Sequence, residues 1–381
     1  MKCQPLFFSL VLMVFSASYC WANEDEILEE VQKRTFRYFW EQSHHRTGLV
    51  RERTSTPDTT TIGGTGFQLM ALIVGDKRGY ASRRQVLGRI CKVLYSLERS
   101  PRYHGAFPHW LNGQSDETKA FSKYDDGGDL VETALLVQGL LCVRQYFSGS
   151  SAIEGALRER IDSLWRAVNW QFYTRGKKIL YWHWSPNYGW KMNLPISGWN
   201  EALIVYVLAA SSPTHPISPE VYHNGWARLG KMKNGKRYHD IELPLGPPYG
   251  GPLFLSHYSF LALSPRGLSD RYADYWQQNV NHTLINWSHC KKQGYGPAWG
   301  LTSSDTPKGY AAHSPTEDRG VITPTAALSA IVYAPQKSME ALQHFKNTMG
   351  GRLFGPLGFV DAYQPKSGWI AKDQLAIDQG P

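Results

Sequence analysis

Val86-Leu87-Gly88-Arg89-Ile90-Cys91-Lys92-Val93-Leu94-Tyr95-Ser96-Leu97 sets apolar side chains at 86, 90, 93, 94 and 97, three and four residues apart. That spacing paints one stripe of a helix with hydrocarbon and leaves the opposite face polar. The pattern recurs in both directions. Upstream, Ile27, Leu28, Val31, Phe36 and Phe39 predict a helix from Glu24 to Glu41, and Phe67, Leu69, Met70 and Ile73 begin another. Downstream, helices are expected over Leu130–Phe147, Ile153–Tyr173, Trp199–Ala210, Pro252–Leu263, Arg271–Lys291, Thr323–Tyr333 and Ser338–Met349. The period-two alternation of half-buried strands is almost absent. Separators such as Ser211-Ser212-Pro213-Thr214-His215-Pro216 and Gly246-Pro247-Pro248-Tyr249-Gly250-Gly251-Pro252 are built to end helices. With about a dozen helices, no linker and no sequence repeat, the expected fold is all-α: an (α/α)6 toroid, six helical hairpins in a ring, with a cleft formed by loops at one end. A helical solenoid would show a repeating period, and none is found.

The first residues read differently. Lys2, an apolar run from Leu6 to Phe15, and small residues at Cys20 and Ala22 have the layout of a secretory signal cut after Ala22. The expected organisation is therefore a signal peptide at 1–22 and one catalytic domain over 23–381, exported to the periplasm or secreted. Lys2 leaves with the signal, so the formal charge falls from +9 to +8. Lys and Arg are scattered and form no basic helix face, which argues against nucleic acid or a membrane surface as partner. Cys91, Cys142 and Cys290 remain, an odd, widely spaced set that fits neither a disulfide framework nor a zinc site, and is read as ordinary buried thiols. The 14 Trp and 21 Tyr suit a carbohydrate groove, because a sugar packs its C–H face on an aromatic ring.

The densest acidic stretch is Asp125-Asp126-Gly127-Gly128-Asp129-Leu130-Val131-Glu132, a glycine-containing loop that feeds a helix. Asp129 and Glu132 lie at i, i+3, on one face of the first turn, where they could also be an N-cap and its capping-box glutamate. The crowding of Asp125 and Asp126 in the same loop favours a functional use. Glu201, in Trp199-Asn200-Glu201-Ala202, also opens a helix beside aromatic rings. Partial desolvation there would raise its pKa toward the range of a general acid. Further carboxylates sit in the glycine-bounded segments around Asp305, Asp361 and Asp378. No phosphate loop, dinucleotide fingerprint, nucleophile-elbow serine or metal-binding His-x-x-x-His helix is present, so no cofactor and no metal is expected.

Several ordered motifs resemble the glucoamylase-like family that includes the glycoside hydrolase family 144 β-1,2-glucanases. They are Thr35–Trp40, Gly48–Arg53, Gly64–Phe67, Trp199–Ala202, Ser212–Pro216, Trp299–Asp305, Gly358–Ala362 and Ile377–Pro381. The resemblance implies inverting hydrolysis of linear β-1,2-glucan, endo-acting or sophorose-releasing, by a cofactor-free monomer. It implies Asp129, Glu132, Glu201 and Asp378 as catalytic acids. Arg53, Trp184, Trp199, Asn200, His257, Trp299, Asp361 and Gln379 are expected to hold substrate, with the Trp199 ring facing the cleft. Relatives of this kind continue past Pro381 with another helix, so the last hairpin is expected to be cut short. Two other readings compete. One is a polysaccharide lyase on the same toroid, which the positive charge and His257-Tyr258 would suit. The other is a periplasmic glucan-binding or assembly protein without catalysis.

Overall fold

The computed structural model describes residues 25–381, so the expected signal peptide lies outside the described residues. Helices dominate: α1 (25–41), α2 (Ile62–Arg78), α3 (Arg83–Arg99), α4 (Leu130–Tyr146), α5 (Ala152–Arg166), α6 (Leu203–Ser211), α7 (Pro219–Val221, running on as a wider turn to Trp226), α8 (Tyr275–Lys292), α9 (Pro324–Ser329), α10 (Pro335–Asn347) and α11 (Ala376–Gln379). Side chains fix where they begin. The Thr61 hydroxyl accepts from the Gly64 amide at α2, Ser82 and Gln85 form a capping box at α3, and Ser151 and Asp274 cap α5 and α8.

Helix character alternates along the chain. α2 and α4 are buried on nearly every side, whereas α3, α5 and α10 bury a single stripe. The first kind stand inside the ring and the second outside. Contacts pass from α2 to α4, from α4 to α6, from α6 to the turn at Tyr258–Phe260, and from α9 through α11 back to α2. α3, α5, α7, α8 and α10 back these inner elements, which makes an (α/α)6 toroid. The tightest joint is the crossing of α2 and α4. A Cβ on Gly66 would lie 2.0 Å from the Leu135 carbonyl oxygen, and one on Gly139 would lie 2.2 Å from that of Gly66, so the two backbones touch there and only glycine fits.

Several elements depart from expectation. The expected helix over Pro252–Leu263 is two short 3₁₀ turns, Leu253–Ser256 and Tyr258–Phe260. Its own backbone bonds are the tighter kind, Leu255 N to Pro252 O, His257 N to Phe254 O and Phe260 N to His257 O. It is also tethered to neighbours: Leu253 N donates to Leu301 O, Phe254 N to the Thr302 hydroxyl, and Tyr258 O accepts from Gln138. The helix expected to reach Tyr173 stops at Arg166, and α6 starts at Leu203, which leaves Trp199, Asn200 and Glu201 in the preceding turn. Pro219–Trp226 was not anticipated as helical. Short hairpins also occur, among them Lys233–Tyr238 with Ile241–Leu245, Ser304–Thr306 with Gly309–Ala311, and a three-stranded patch of Thr59–Thr61, Trp110–Asn112 and Thr118–Lys119. Cys91, Cys142 and Cys290 are free thiols, and only Cys290 is fully buried. No helix among the described residues is long and apolar enough to cross a membrane.

Candidate active site

The strand Thr59–Thr61 leads into α2, and Gly128–Asp129 leads into α4. The turn holding Glu201 leads into α6, and Leu375 leads into α11. The N-terminal ends of four inner helices therefore meet at one mouth of the ring, where exposed amides and aligned helix dipoles favour negative charge. A cleft of about 560 Å³ opens there, with Glu132 and Glu201 in its lining together with Glu52, Arg53 and Thr61. Its aromatic walls are Trp110, Phe121, Trp182, Tyr258 and Tyr310.

Asp129 is the N-cap of α4. Its Oδ1 accepts from the amides of Val131 (2.9 Å) and Glu132 (3.0 Å). Its Oδ2 lies 2.9 Å from His109 Nδ1 and 3.3 Å from His183 Nε2. The capping and functional readings of this residue are thus both geometrically present, one on each oxygen. Glu132 does not close a capping box. Its Oε2 reaches across to the Gly63 amide in the first turn of α2 (2.7 Å), and its Oε1 lies 3.9 Å from His109 Nε2. Asp125 completes the group, its Oδ2 3.1 Å from His183 Nε2 and 3.5 Å from His109 Nδ1.

Charge follows from this packing. Burial disfavours cationic His109 and His183, but Glu132, Asp129 and Asp125 outweigh it, and both pKa values rise, that of His183 to about 9. Burial would raise Asp129 as well, yet His183 and His109 hold it well below the usual carboxylate range. Burial raises Glu132, against the pull of His109 and the Gly63 amide. Burial pushes Glu201 up to about 7, with Asp129 and Glu132 adding repulsion. His109, Asp125 and Asp129 have the composition of a metal site and bring ligand-type atoms within 4.8 Å of one another. Those atoms already face each other and His183 as alternating imidazoles and carboxylates, which balances their charge without a metal.

Arg53 stands at the rim. Its guanidinium donates to both oxygens of Asp305 (3.0 and 3.1 Å) and to Glu52, which ties the Ser304–Ala311 hairpin, carrying exposed Tyr310, over the cleft. Asp378 is buried, and its helix offers Leu375 and Ile377 to the cleft, while Asp378 and Gln379 line a second, apolar cavity of about 360 Å³ between α1, α2 and α9. Asp378 is hydrogen-bonded to Asp361. Burial holds Asp361 at about 7, and burial together with Asp361 holds Asp378 well above the usual range. Asp361 Oδ2 also accepts the amide of Asp305, so it supports the hairpin and lies outside the cleft lining.

Other residues expected to hold substrate are placed elsewhere. Trp199 is 6% exposed and packs on Trp226, Phe260 and Tyr275, because Gly246, at φ +98°, leaves room for its ring in the core. Trp299 is fully buried, with its indole N–H donated to Lys337 O. His257 is buried parallel to the Tyr333 ring, and desolvation, with nearby His282, lowers its pKa to about 3. Trp184 packs edge-on to His104 and Phe172. The Asn200 side chain accepts the Ala202 amide, and Gln379 donates to Phe359 O. Conversely, His109, His183, Glu52, Trp182 and the Trp110–Phe121 wall were not picked out from sequence. The only signal for His183 and Trp182 was their place in the aromatic run Tyr181–Trp184, and His109 had none beyond a neighbouring Trp110.

The Glycoamylase family model matches residues 193–381, and a model of a family of unknown function matches residues 30–128. An endo-β-1,2-glucanase from Chitinophaga pinensis, solved with sophorotriose and glucose, is 49% identical, with a TM-score of 0.91 over 94% of this chain and 90% of its own. A protein of glucoamylase type from Bacteroides uniformis is 50% identical, with a TM-score of 0.92 over 94% and 90%. An exo β-1,2-glucooligosaccharide sophorohydrolase (non-reducing end) from Parabacteroides distasonis is 38% identical over 94% of this chain. The chain spans about half of that relative, 54% of its length. With its toroid, its acid-floored cleft and these matches, the chain belongs to the glucoamylase-like family in which the Chitinophaga enzyme also falls.

Proposed function

We propose that the protein is a glycoside hydrolase that cleaves β-1,2-linked glucan with inversion, Glu201 serving as general acid and Glu132 as the carboxylate that draws a proton from the attacking water. The observation that carries this reading is that two buried carboxyl groups share one cleft and differ in their partners: Glu132 faces His109 and accepts the Gly63 amide, whereas Glu201 has no cation beside it among the described residues. Glu201, held at about 7 by burial, keeps a proton through much of the neutral range and can pass it to a glycosidic oxygen. Glu132 is steadied as an anion by the Gly63 amide, the N-terminus of α2 and His109. Burial raises both carboxyls, and the pull of His109 and the Gly63 amide on Glu132 alone favours Glu132 as the base and Glu201 as the acid.

The walls fit a neutral sugar, since Trp110, Phe121, Trp182, Tyr258 and Tyr310 offer ring faces and edges. The carboxyl groups of Glu52, Glu132 and Glu201 in the lining, against the single guanidinium of Arg53, suit a neutral sugar better than a polyuronate, which disfavours a lyase. The named activities of the Chitinophaga and Parabacteroides relatives support β-1,2-glucan as the substrate class. The N-terminal pattern supports an exported enzyme.

The test is incubation with linear β-1,2-glucan beside β-1,3-, β-1,4- and β-1,6-glucans, with products separated by size and the first anomer read by NMR. The expected result is degradation of the β-1,2-polymer alone, with the α-anomer appearing first. Turnover of another linkage in its place, or the β-anomer first, would reject the proposal.

A further inference from the structure

His109 lies in the loop Phe107-Pro108-His109-Trp110 and is fixed on three sides. Asp129, itself locked by capping α4, takes Nδ1 at 2.9 Å. Phe121 stacks on one face of the ring at 4.2 Å between centroids and 23° between planes, and Trp110 meets it edge-on at 5.5 Å. These constraints aim Nε2 at Glu132 Oε1, 3.9 Å away. That is ion-pair range, and Oε1 is the oxygen of Glu132 that Gly63 leaves free.

We propose that His109 is a positioning residue for Glu132: its imidazolium, anchored by Asp129, keeps Glu132 ionised and turns the free carboxylate oxygen to the cleft. The proposal rests on the reading of Glu132 as the base and names the residue that makes it one. The charged groups around the ring come from every side: Asp125 and Asp129 from the loop before α4, Glu132 from α4 itself, His183 from the facing hairpin, and Glu201 from the turn before α6. Asp125 and Asp129 share His183 as well as His109, so a neutral His109 would leave two aspartates and Glu132 facing the His183 cation across the group. The carboxylate with the weakest hold on that cation is Glu132, which would then take up the next proton. An opposite charge within about 4–6 Å typically moves a carboxyl pKa by 1–3 units.

The test compares wild type with His109→Gln, which preserves a donor toward Asp129 and removes the cation. The acid limb of the kcat/KM profile on β-1,2-glucan should move up by about 1 pH unit or more toward the alkaline limb set by Glu201, which narrows the profile and lowers activity at pH 5 more than it lowers the maximum. Equal loss at every pH, or no change, would overturn the proposal, because a merely structural histidine shifts no limb. Independently of catalysis and of the variant's folding, ¹⁵N-histidine NMR of wild type reads the His109 ring directly. A charged ring from pH 5 to 7 that loses its proton at lower pH in Glu132→Gln supports the coupling. A neutral ring across that range sinks it. If wild type cleaves no glucan, the functional reading fails while the ring titration still decides the coupling.

Discussion

Trp199→Ala tests whether an aromatic ring beside a cleft carboxylate serves the sugar or the core. The side chain is 6% exposed, and Trp226, Phe260 and Tyr275 all have ring centroids 6.2–6.3 Å from it. Its indole N–H has no hydrogen-bond partner, so truncation removes packing without orphaning a polar group. Large-to-small changes of this kind cost about 3–5 kcal/mol. A chain of 381 residues has an unfolding entropy of roughly 0.8 kcal/mol/K at ~2.1 cal/mol/K per residue, so the melting temperature should fall by roughly 4–6 °C. Trp199→Phe, which refills most of the space, should lose less than half of that. The assay pairs thermal melts with initial rates at temperatures well below either transition, where the folded fraction should show a KM within about twofold of wild type. A KM raised tenfold or more with an unchanged melt would refute the placement and return the ring to the cleft.

Other outcomes follow from the same geometry. Glu201→Gln keeps shape and should lower turnover about 10²–10⁴-fold, and the alkaline limb expected near 7 from the raised Glu201 should be absent from its residual rate. Asp129→Asn should retain the α4 cap through its remaining oxygen, yet His109 and His183 lose their shared buried anion, so turnover should fall and the melting temperature at neutral pH should drop with it. Activity should persist in a chelator at millimolar concentration; loss that zinc or calcium restores would place a metal on His109, Asp125 and Asp129. Burial holds Asp361 at about 7 in the folded state, above its unfolded value near 4. Folding therefore takes up a proton between those values, and this part of the stability is present below pH ~4 and declines as pH rises toward 7. Asp361→Asn should flatten the decline, read as a smaller difference in melting temperature between pH 5 and pH 8.

What could be read from sequence, and what could not, divides along one physical line. A helix that buries a stripe announces itself, as α3 does at Val86, Ile90, Val93, Leu94 and Leu97, and the start of an inner helix announces itself when loop glycines or aromatics give way to an acid and then to hydrocarbon, as at Gly128-Asp129-Leu130 and Asn200-Glu201-Ala202. Glu132 and Glu201 were legible in the cleft for that reason. The inner segment at 253–260 has helical apolar spacing but forms two 3₁₀ turns, because some of its backbone groups are bound by Leu301, Thr302 and Gln138, partners that lie far away in sequence. Trp199 and Trp299 were misplaced because a ring near an acid looks alike from sequence whichever way it turns. Here Gly246 and the Lys337 carbonyl decide the direction, and both lie dozens of residues away. His109 left no periodic trace because it sits in an irregular loop, and its partners come from loop, helix and hairpin at once. Periodicity records which face of an element meets the core. A site assembled from loop ends is recorded only in the three-dimensional meeting of those ends, so the residue that coordinates the acids was harder to see than the acids themselves.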